Sequence, residues 1–231
     1  MTDSPPDTAR AIPLTAMLCA TAGAVDAIAY LLFGQIFIAN MTGNTVLFTI
    51  SVVRHDWGQA GLRIGVVLVF LSGVFTTRAA LIKLASGHER SIRLFVLVFE
   101  FFLLIALALI PQAYTVRVGL LVLLAFAMGM QNDAFRRIAG MRLNTTFITG
   151  DLEELGAALA NREDPAKRNR ARGRIAEFST IWIAYVIGAV LGAFFAFHFG
   201  AKALWVPAAL VATAAILVWI FPLPTFQQTA D

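Results

Sequence analysis

The chain has 231 residues, of which 59% are hydrophobic and 14% charged, and its mean hydropathy is +0.77. Soluble domains carry about 25% charged residues. A folded chain of this size with so few charges cannot cover its surface for water, so the composition excludes a soluble globular protein. A transmembrane helix takes about 20 apolar residues, and several such spans leave no room for a second, soluble domain.

The net charge is +4, and a basic chain can be a nucleic-acid-binding protein. Here the basic residues cluster between apolar runs, which is typical of a membrane protein with positive loops in the cytoplasm. The single cysteine, Cys19, excludes an internal disulfide and a cysteine metal cluster. Metal-binding, nucleotide-binding and hydrolase motifs are absent from the sequence. We therefore expect no nucleic-acid partner, metal, cofactor or enzymatic activity.

Six apolar runs follow one another along the chain, each long enough to cross a bilayer. They cover Leu14–Gln35, Leu62–Leu84, Leu94–Ile110, Val116–Phe135, Ile175–Phe199 and Leu204–Phe221. We predict an all-α integral membrane helical bundle with about six spans. It forms a single domain over residues 1–231, with disordered termini at residues 1–10 and 222–231.

Lysine and arginine are distributed unequally between the two sides of this six-span arrangement. With the N-terminus inside, only Arg54, Arg63, Arg117 and Lys202 fall outside, and the other 14 of the 18 lie inside. Positive loops stay in the cytoplasm, so we expect both termini to be cytoplasmic.

A polar interruption, Asn40-Met41-Thr42-Gly43-Asn44, follows the first apolar run. A glycine between Thr and Asn interrupts a helix, and Asn44 can cap a new one. The next segment, Thr45–Val53, is too short to cross a bilayer, so we predict a re-entrant or surface half-helix. Irregular backbone at this depth is tolerated only where it is buried in protein or lines water.

The two halves of the chain carry similar residues in the same order, although glycines in apolar helices can also match by chance. The first half has Gly23, Asp26, Gly34, Thr42-Gly43 and Asn44, and the second has Gly129, Asn132, Gly140, Thr149-Gly150 and Asp151. This alignment predicts a second half-helix over Leu152–Ala160, begun by a capping box of Asp151 and Glu154. Three spans per half, about residues 11–113 and 114–222, make the repeats inverted, as in many transporters with broken helices.

Several of these segments resemble the YoaK-like family of uncharacterised bacterial membrane proteins. They are Gly23-Ala24-Val25-Asp26-Ala27, Phe37–Asn44, Gly129-Met130-Gln131-Asn132 and Thr145–Gly150. The resemblance covers nearly the whole chain. It implies a multi-pass protein of the bacterial cytoplasmic (inner) membrane, surrounded by the lipid bilayer, and it implies no particular site or substrate.

Two acidic residues fall inside apolar runs. Asp26 lies near the middle of the first, where a charge costs about 2.5–3.5 kcal/mol. Asp26 is a candidate proton- or cation-coupling group, or else it forms a structural hydrogen bond to a facing helix or to the broken backbone. Glu100, within the third run, is a candidate gate or proton relay, or a partner for an arginine such as Arg78.

The two Thr-Gly interruptions form the main candidate binding site, because half-helix N-termini expose N–H groups and a partial positive charge. The alternative is that they only turn the chain. In the second half, Asp133 is a further candidate, or else an ion-pair partner of Arg136 and Arg137. The candidate binding residues for a small solute or ion are Asp26, Asn40, Thr42, Gly43, Asn44, Gln131, Asn132, Asp133, Thr146, Thr149, Gly150 and Asp151.

These features predict a small secondary transporter or channel for a small polar or charged solute. The alternative is a non-transporting scaffold or accessory subunit of a complex, whose buried polar groups are satisfied within the chain. An intramembrane enzyme would need a nucleophile and base, or a metal pair, which the sequence does not offer. The slim bundle leaves both a monomer and a homodimer open.

Overall fold

The computed structural model describes residues 6–84, 88–110, 114–138, 141–142, 148–160 and 168–221. Most of these residues are helical, which confirms the all-α class. The helices are α1 (Pro6–Leu32), α2 (Met41–Val53), α3 (Trp57–Lys83), α4 (Glu89–Leu109), α5 (Tyr114–Ala134), α6 (Ile148–Ala160), α7 (Arg168–Phe199) and α8 (Trp205–Ile220). A short antiparallel pair, β1 (Arg137–Ile138) and β2 (Met141–Arg142), follows α5.

Five stretches of the described residues are long and apolar enough to cross a membrane. Four lie in α1, α3, α4 and α5, and the fifth is a 48-residue stretch, Gly173–Ile220. At 1.5 Å per residue this stretch would measure about 70 Å, more than twice the thickness of the hydrocarbon core. It contains two helices, because Gly200 ends α7 at a φ of +58° and a 3-10 helix, Gly200–Leu204, leads into α8. The fifth and sixth predicted runs are therefore α7 and α8.

Helices α1 and α7 run parallel and pack closely along a row of small residues. Ala20 contacts Gly188, and one turn further along both helices Ala24 contacts Gly192. A methyl group on either glycine would collide with the α1 backbone, and so would one on Gly23 with the α7 backbone. Glycine therefore permits the close approach, and we call this contact the α1–α7 seam.

Helices α3 and α5 form a second parallel pair of the same kind, the α3–α5 seam. A Cβ on Gly73 would collide with the backbone of Phe126, and one on Gly129 with the backbone of Phe70. Further along both helices, Arg78 of α3 reaches Asp133 of α5.

Helix α4 runs opposite to α5 and α8. Arg93, near its start, donates from Nε to the carbonyl oxygen of Ala134 at the end of α5, over 3.1 Å. Arg90 donates to the carbonyl oxygen of Trp219, near the end of α8. Because α8 thus ends beside the start of α4, it crosses the bundle in the same direction as α3 and α5.

The end of α1 lies beside the starts of α3 and α5. The Arg117 guanidinium, near the start of α5, lies 5.5 Å from the ring centroid of Phe33, and Gly34 lies beside Gln59 of α3. Helix α1 therefore runs opposite to both. The two short helices lie against long ones: α2 packs on α3, and α6 packs on α7.

The first short helix begins earlier than predicted. It starts at Met41, and its N-cap is Asn40, whose side-chain oxygen accepts from the Gly43 N–H at 3.0 Å. The prediction that Asn44 caps the helix is wrong, because the Asn44 side chain binds backbone preceding the helix. The chain is broken earlier, between α1 and Asn40, where Gly34 adopts a φ of +95° that favours glycine.

The second short helix also begins early, at Ile148 instead of Leu152. Asp151 therefore lies within the helix and is not its N-cap, so the predicted capping box is wrong. Glu154 instead forms an ion pair with Arg174 of α7. Helix α1 likewise extends back to Pro6, into a segment predicted to be disordered; residues 1–5 and 222–231 lie outside the described residues.

The seams predict a sharp difference between glycines. Gly23→Ala and Gly129→Ala place a methyl group against the backbone of the partner helix, so each should lower the unfolding midpoint of the purified protein in detergent by several degrees. Gly65→Ala is the matched control: a Cβ there meets no atom within 4 Å, and alanine in a helix interior is about 0.5–1 kcal/mol better than glycine. A midpoint unchanged by Gly23→Ala would contradict the close α1–α7 contact.

Candidate functional site

The carboxylate of Asp26 joins three parts of the chain. It is 2% exposed. One oxygen, Oδ1, accepts from the backbone N–H groups of Ile38 and Ala39, both at 2.7 Å. The other, Oδ2, accepts from the Tyr185 hydroxyl of α7 at 3.0 Å. Asp26 therefore holds the broken segment and the facing helix together, which are the two structural partners considered from the sequence.

Asn44 holds the same segment from the other side. Its side chain is fully buried, accepts from the N–H of Phe37 at 2.9 Å and donates to the carbonyl oxygen of Phe37 at 2.6 Å. These two hydrogen bonds satisfy both backbone polar groups of Phe37, in the way that a paired residue on an adjacent β-strand would. Gly43 leaves room for it, since a Cβ there would collide with the Phe37 ring. Thr42 lies on the exposed side of the helix.

Gln131, a candidate of the second half, contacts the buried acid Glu100 of the first half. Gln131, at the end of α5, and Glu100, in the middle of α4, are both fully buried. With its amide nitrogen facing α4, Gln131 donates to both carboxylate oxygens of Glu100, to the farther one over 3.0 Å. Glu100 therefore has a neutral partner in the bundle interior. The alternative in which it pairs with Arg78 is wrong, since Arg78 contacts another carboxylate.

Arg78 instead pairs with Asp133. Its guanidinium lies 2.6 Å from the Asp133 Oδ1. The other carboxylate oxygen is buried and has no hydrogen-bond partner in the described part of the chain. The structural alternative predicts that Asp133 pairs with Arg136 and Arg137. Its partner is instead Arg78, because the α3–α5 seam brings the ends of these two helices together.

The remaining candidates of the second half are only partly described. Asn132 is half-buried, and so is Gly150, in the first turn of α6. Thr149 and Asp151 belong to the same turn, and their side chains lie outside the described part of the structure, as does the whole of Thr146. A joint site formed by both Thr-Gly segments therefore stays a prediction.

The described candidates form two groups. Asp26, Asn40 and Asn44 surround the broken segment that follows α1. Gln131 and Asp133 lie at the end of α5, bonded to α4 and α3 respectively.

Two polar residues of these regions are not among the candidates that the sequence predicts. Tyr185 donates to Asp26, and an aromatic hydroxyl in an apolar run needs a partner, which is the feature that could have revealed it. The charge count places Arg63 on the outside and assigns it no role; it lies in α3 and is 7% exposed. Its position directly after Leu62, where the second apolar run begins, is the corresponding clue.

Comparison with known proteins agrees with the helical membrane bundle. The family described as "Protein of unknown function (DUF1275)" matches residues 14–217. The chain belongs to this family. It is 28% identical to the UPF0700 transmembrane protein YoaK of Bacillus subtilis (strain 168) over 202 residues, which cover 86% of this chain and 89% of that protein. The predicted resemblance to the YoaK-like family is thereby confirmed.

A second relative is similar over almost the same length. The chain is 32% identical to the UPF0700 transmembrane protein RA0705 of Rhizobium meliloti (strain 1021) over 215 residues, 88% of this chain and 85% of that protein. No solved structure shows significant similarity to the chain. The relatives and the apolar helices together establish a transmembrane protein.

The contacts of Asp26 predict different outcomes for two substitutions. Asp26→Ala removes the acceptor for two buried N–H groups, and an unsatisfied buried donor costs about 1–3 kcal/mol. Asp26→Asn keeps a carbonyl oxygen for both donors and should retain most of the stability. Unfolding titrations with dodecyl sulfate in mixed micelles would measure both, and equal losses would contradict the proposed hydrogen bonding.

The Arg78–Asp133 pair predicts a rescue. Arg78→Ala leaves the buried Asp133 carboxylate without its cation, and we expect a loss of about 1–3 kcal/mol, less than for a fully buried pair because Arg78 is partly exposed. Adding Asp133→Asn removes the uncompensated charge and should restore most of that loss in the same titration. A double variant as unstable as Arg78→Ala would show that the pair contributes through packing alone.

Proposed function

We propose that this protein is a small secondary transporter or channel for a small polar or charged solute, built from two inverted halves. Its two termini lie in the cytoplasm and its spans in a bacterial inner membrane. The observation that carries this proposal is the pattern of helix packing, which remains the same when the two halves are exchanged.

The exchange replaces α1 to α4 by α5 to α8, in order. The α1–α7 seam then becomes the α3–α5 seam, the packing of α2 on α3 becomes that of α6 on α7, and the packing of α4 on α5 becomes that of α8 on α1. All of these pairs are in contact, and the packed pair of α4 and α8 exchanges with itself. Such a correspondence is what an inverted repeat requires.

Individual residues support the same exchange. Gly23 and Gly129, aligned from the sequence, each lie at the centre of a seam. Both short helices have 13 residues, and the Thr-Gly pairs at 42–43 and 149–150 occupy their second and third positions. Helix α1 runs opposite to α5, its counterpart, so the halves point in opposite directions.

The seams suggest how the two halves would move. Each seam joins a helix of one half to a helix of the other through glycine, whose backbone lies directly against that of the partner helix. Parting two helices along such a contact separates backbone from backbone. Asp26 bridges the broken segment of the first half and Tyr185 of the second half, so breaking or protonating this contact would be felt by both halves. We assign Asp26 the coupling role on this basis.

A second candidate is a non-transporting membrane scaffold or accessory subunit. The observation that favours it is that the side chains of Asp26, Asn40 and Asn44 are all engaged by the chain itself. Under this alternative, these residues only stabilise the break between α1 and α2.

Flux through reconstituted protein distinguishes the two candidates. Proteoliposomes would be exposed to small inorganic ions, amino acids, organic acids, sugars and nucleobases, with transport currents recorded on a supported membrane and internal pH followed by a trapped dye. Transport predicts a saturable signal for one solute class. Asp26→Asn, which keeps an acceptor for both backbone N–H groups, should abolish its dependence on the pH gradient, and Glu153→Gln, at an exposed position of α6, should leave it unchanged.

The opposite result is equally informative. Folded protein that transports none of these solutes, or a saturable flux whose coupling is identical in Asp26→Asn, would overturn the coupling role. The first outcome would favour the scaffold, and the partner should then co-purify with the protein from its native membrane.

A further inference from the structure

A cavity of about 400 Å³ opens at the end of the bundle where α1 ends and α3 begins. The C-terminal half of α2 closes one side of it. Its polar lining consists of Tyr30, Gln35, Ser51, Arg54, Asp56, Gln59 and Arg63. These residues are distinct from the two groups described above, and small-ligand pockets in proteins are of comparable size, about 300–1,000 Å³.

Arg63 is the most deeply buried charge of this lining, with 7% of its surface exposed. Its Nη1 donates to the carbonyl oxygen of Leu47 at 3.0 Å and to the Ser51 hydroxyl, which fixes the guanidinium against α2. Its Nε–H is buried and has no hydrogen-bond partner among the described residues. A buried cation with an unused donor is costly unless an acceptor reaches it.

Gln59 provides the complementary group. It lies one turn before Arg63 on the same face of α3, and its Oε1 is buried without a partner among the described residues. Two lining residues, Arg63 and Gln59, therefore carry one unused donor on a cation and one unused acceptor on a neutral amide, four residues apart, both covered by neighbouring atoms in the wall of the cavity. A ligand that satisfies both carries an acceptor and a donor close together.

The charges around the cavity determine which acceptor suits it. Two arginines, Arg54 and Arg63, face a single carboxylate, that of Asp56. One Asp56 oxygen is occupied, since Oδ1 accepts from the Gln59 backbone N–H at 3.1 Å and caps α3. The excess of positive charge favours an anion, and the planar guanidinium matches a carboxylate.

We propose that this cavity binds a small carboxylate bearing a hydroxyl or amino group, with Arg63 holding the carboxylate and Gln59 accepting from the neighbouring O–H or N–H. Arg54, at the exposed rim, attracts the anion. This site does not depend on transport, because binding is an equilibrium property of the folded chain.

Thermal unfolding and calorimetry of the full chain in detergent test the site with four probes. Glycolate and glycine carry the carboxylate and the donor, acetate carries only the carboxylate, and glycolamide lacks the negative charge. A ligand that binds the folded state raises its stability. We expect glycolate and glycine to raise the unfolding midpoint, acetate to raise it less, and glycolamide to leave it unchanged.

Two substitutions separate the roles of the two side chains. Arg63→Gln should weaken glycolate binding by about tenfold or more, since it removes a charge-assisted hydrogen bond. Gln59→Leu should leave acetate binding intact and remove the preference for glycolate over acetate, so the proposal remains testable if Arg63→Gln fails to fold. Lys202→Gln, which removes an exposed lysine from the same end of the bundle, is the control.

Three results would overturn the proposal. The first is the absence of any carboxylate-dependent shift. The second is equal affinity of glycolate for the wild type and a folded Arg63→Gln variant, or an unchanged glycolate preference in Gln59→Leu. The third is a response to phosphatidylglycerol added to the micelles with none to the soluble probes, which would assign the cavity to a lipid headgroup.

Discussion

A buried peptide group has no water to bond to, and the buried part of the break between α1 and α2, which includes Ile38 and Ala39, must meet this constraint within the chain. A continuous helix would satisfy its own backbone; here side chains replace the missing bonds. Asp26 accepts from two consecutive N–H groups, Asn44 satisfies both polar groups of Phe37, and Asn40 caps the helix that follows. The position of α2, and through Arg63 its contact with α3, depends on these bonds.

The two glycine seams serve a different purpose. Attraction between helices in lipid comes mainly from close packing and polar contacts, and the seams bring backbones together where side chains would keep them apart. Polar bridges then fix the register: Tyr185 with Asp26 across one seam, and Arg78 with Asp133 across the other. Glycine thus permits the close approach, and each bridge joins the same two helices through side chains.

The sequence predicts the features that depend on local pattern. Apolar runs indicated the long helices, the short polar interruption indicated a half-helix, and Asp26 stood out as an acid in an apolar run. The predicted start of α2 is wrong because three side chains that can cap a helix, those of Asn40, Thr42 and Asn44, lie within five residues. Which of them caps α2 depends on where Phe37 is placed, since Phe37 engages Asn44. The partners Tyr185 and Arg78 join distant segments, and no local pattern identifies such pairs.

The bond between Asp26 and Tyr185 also bears on how the protein is made. The two residues are 159 positions apart in the sequence, and synthesis at about 5–20 residues per second separates their emergence from the ribosome by roughly 8–30 s. During this interval α1 enters the membrane without the helix against which it finally packs. An N-terminal half that waits in this state has Gly23 not yet covered by α7 and one oxygen of the Asp26 carboxylate without its Tyr185 donor.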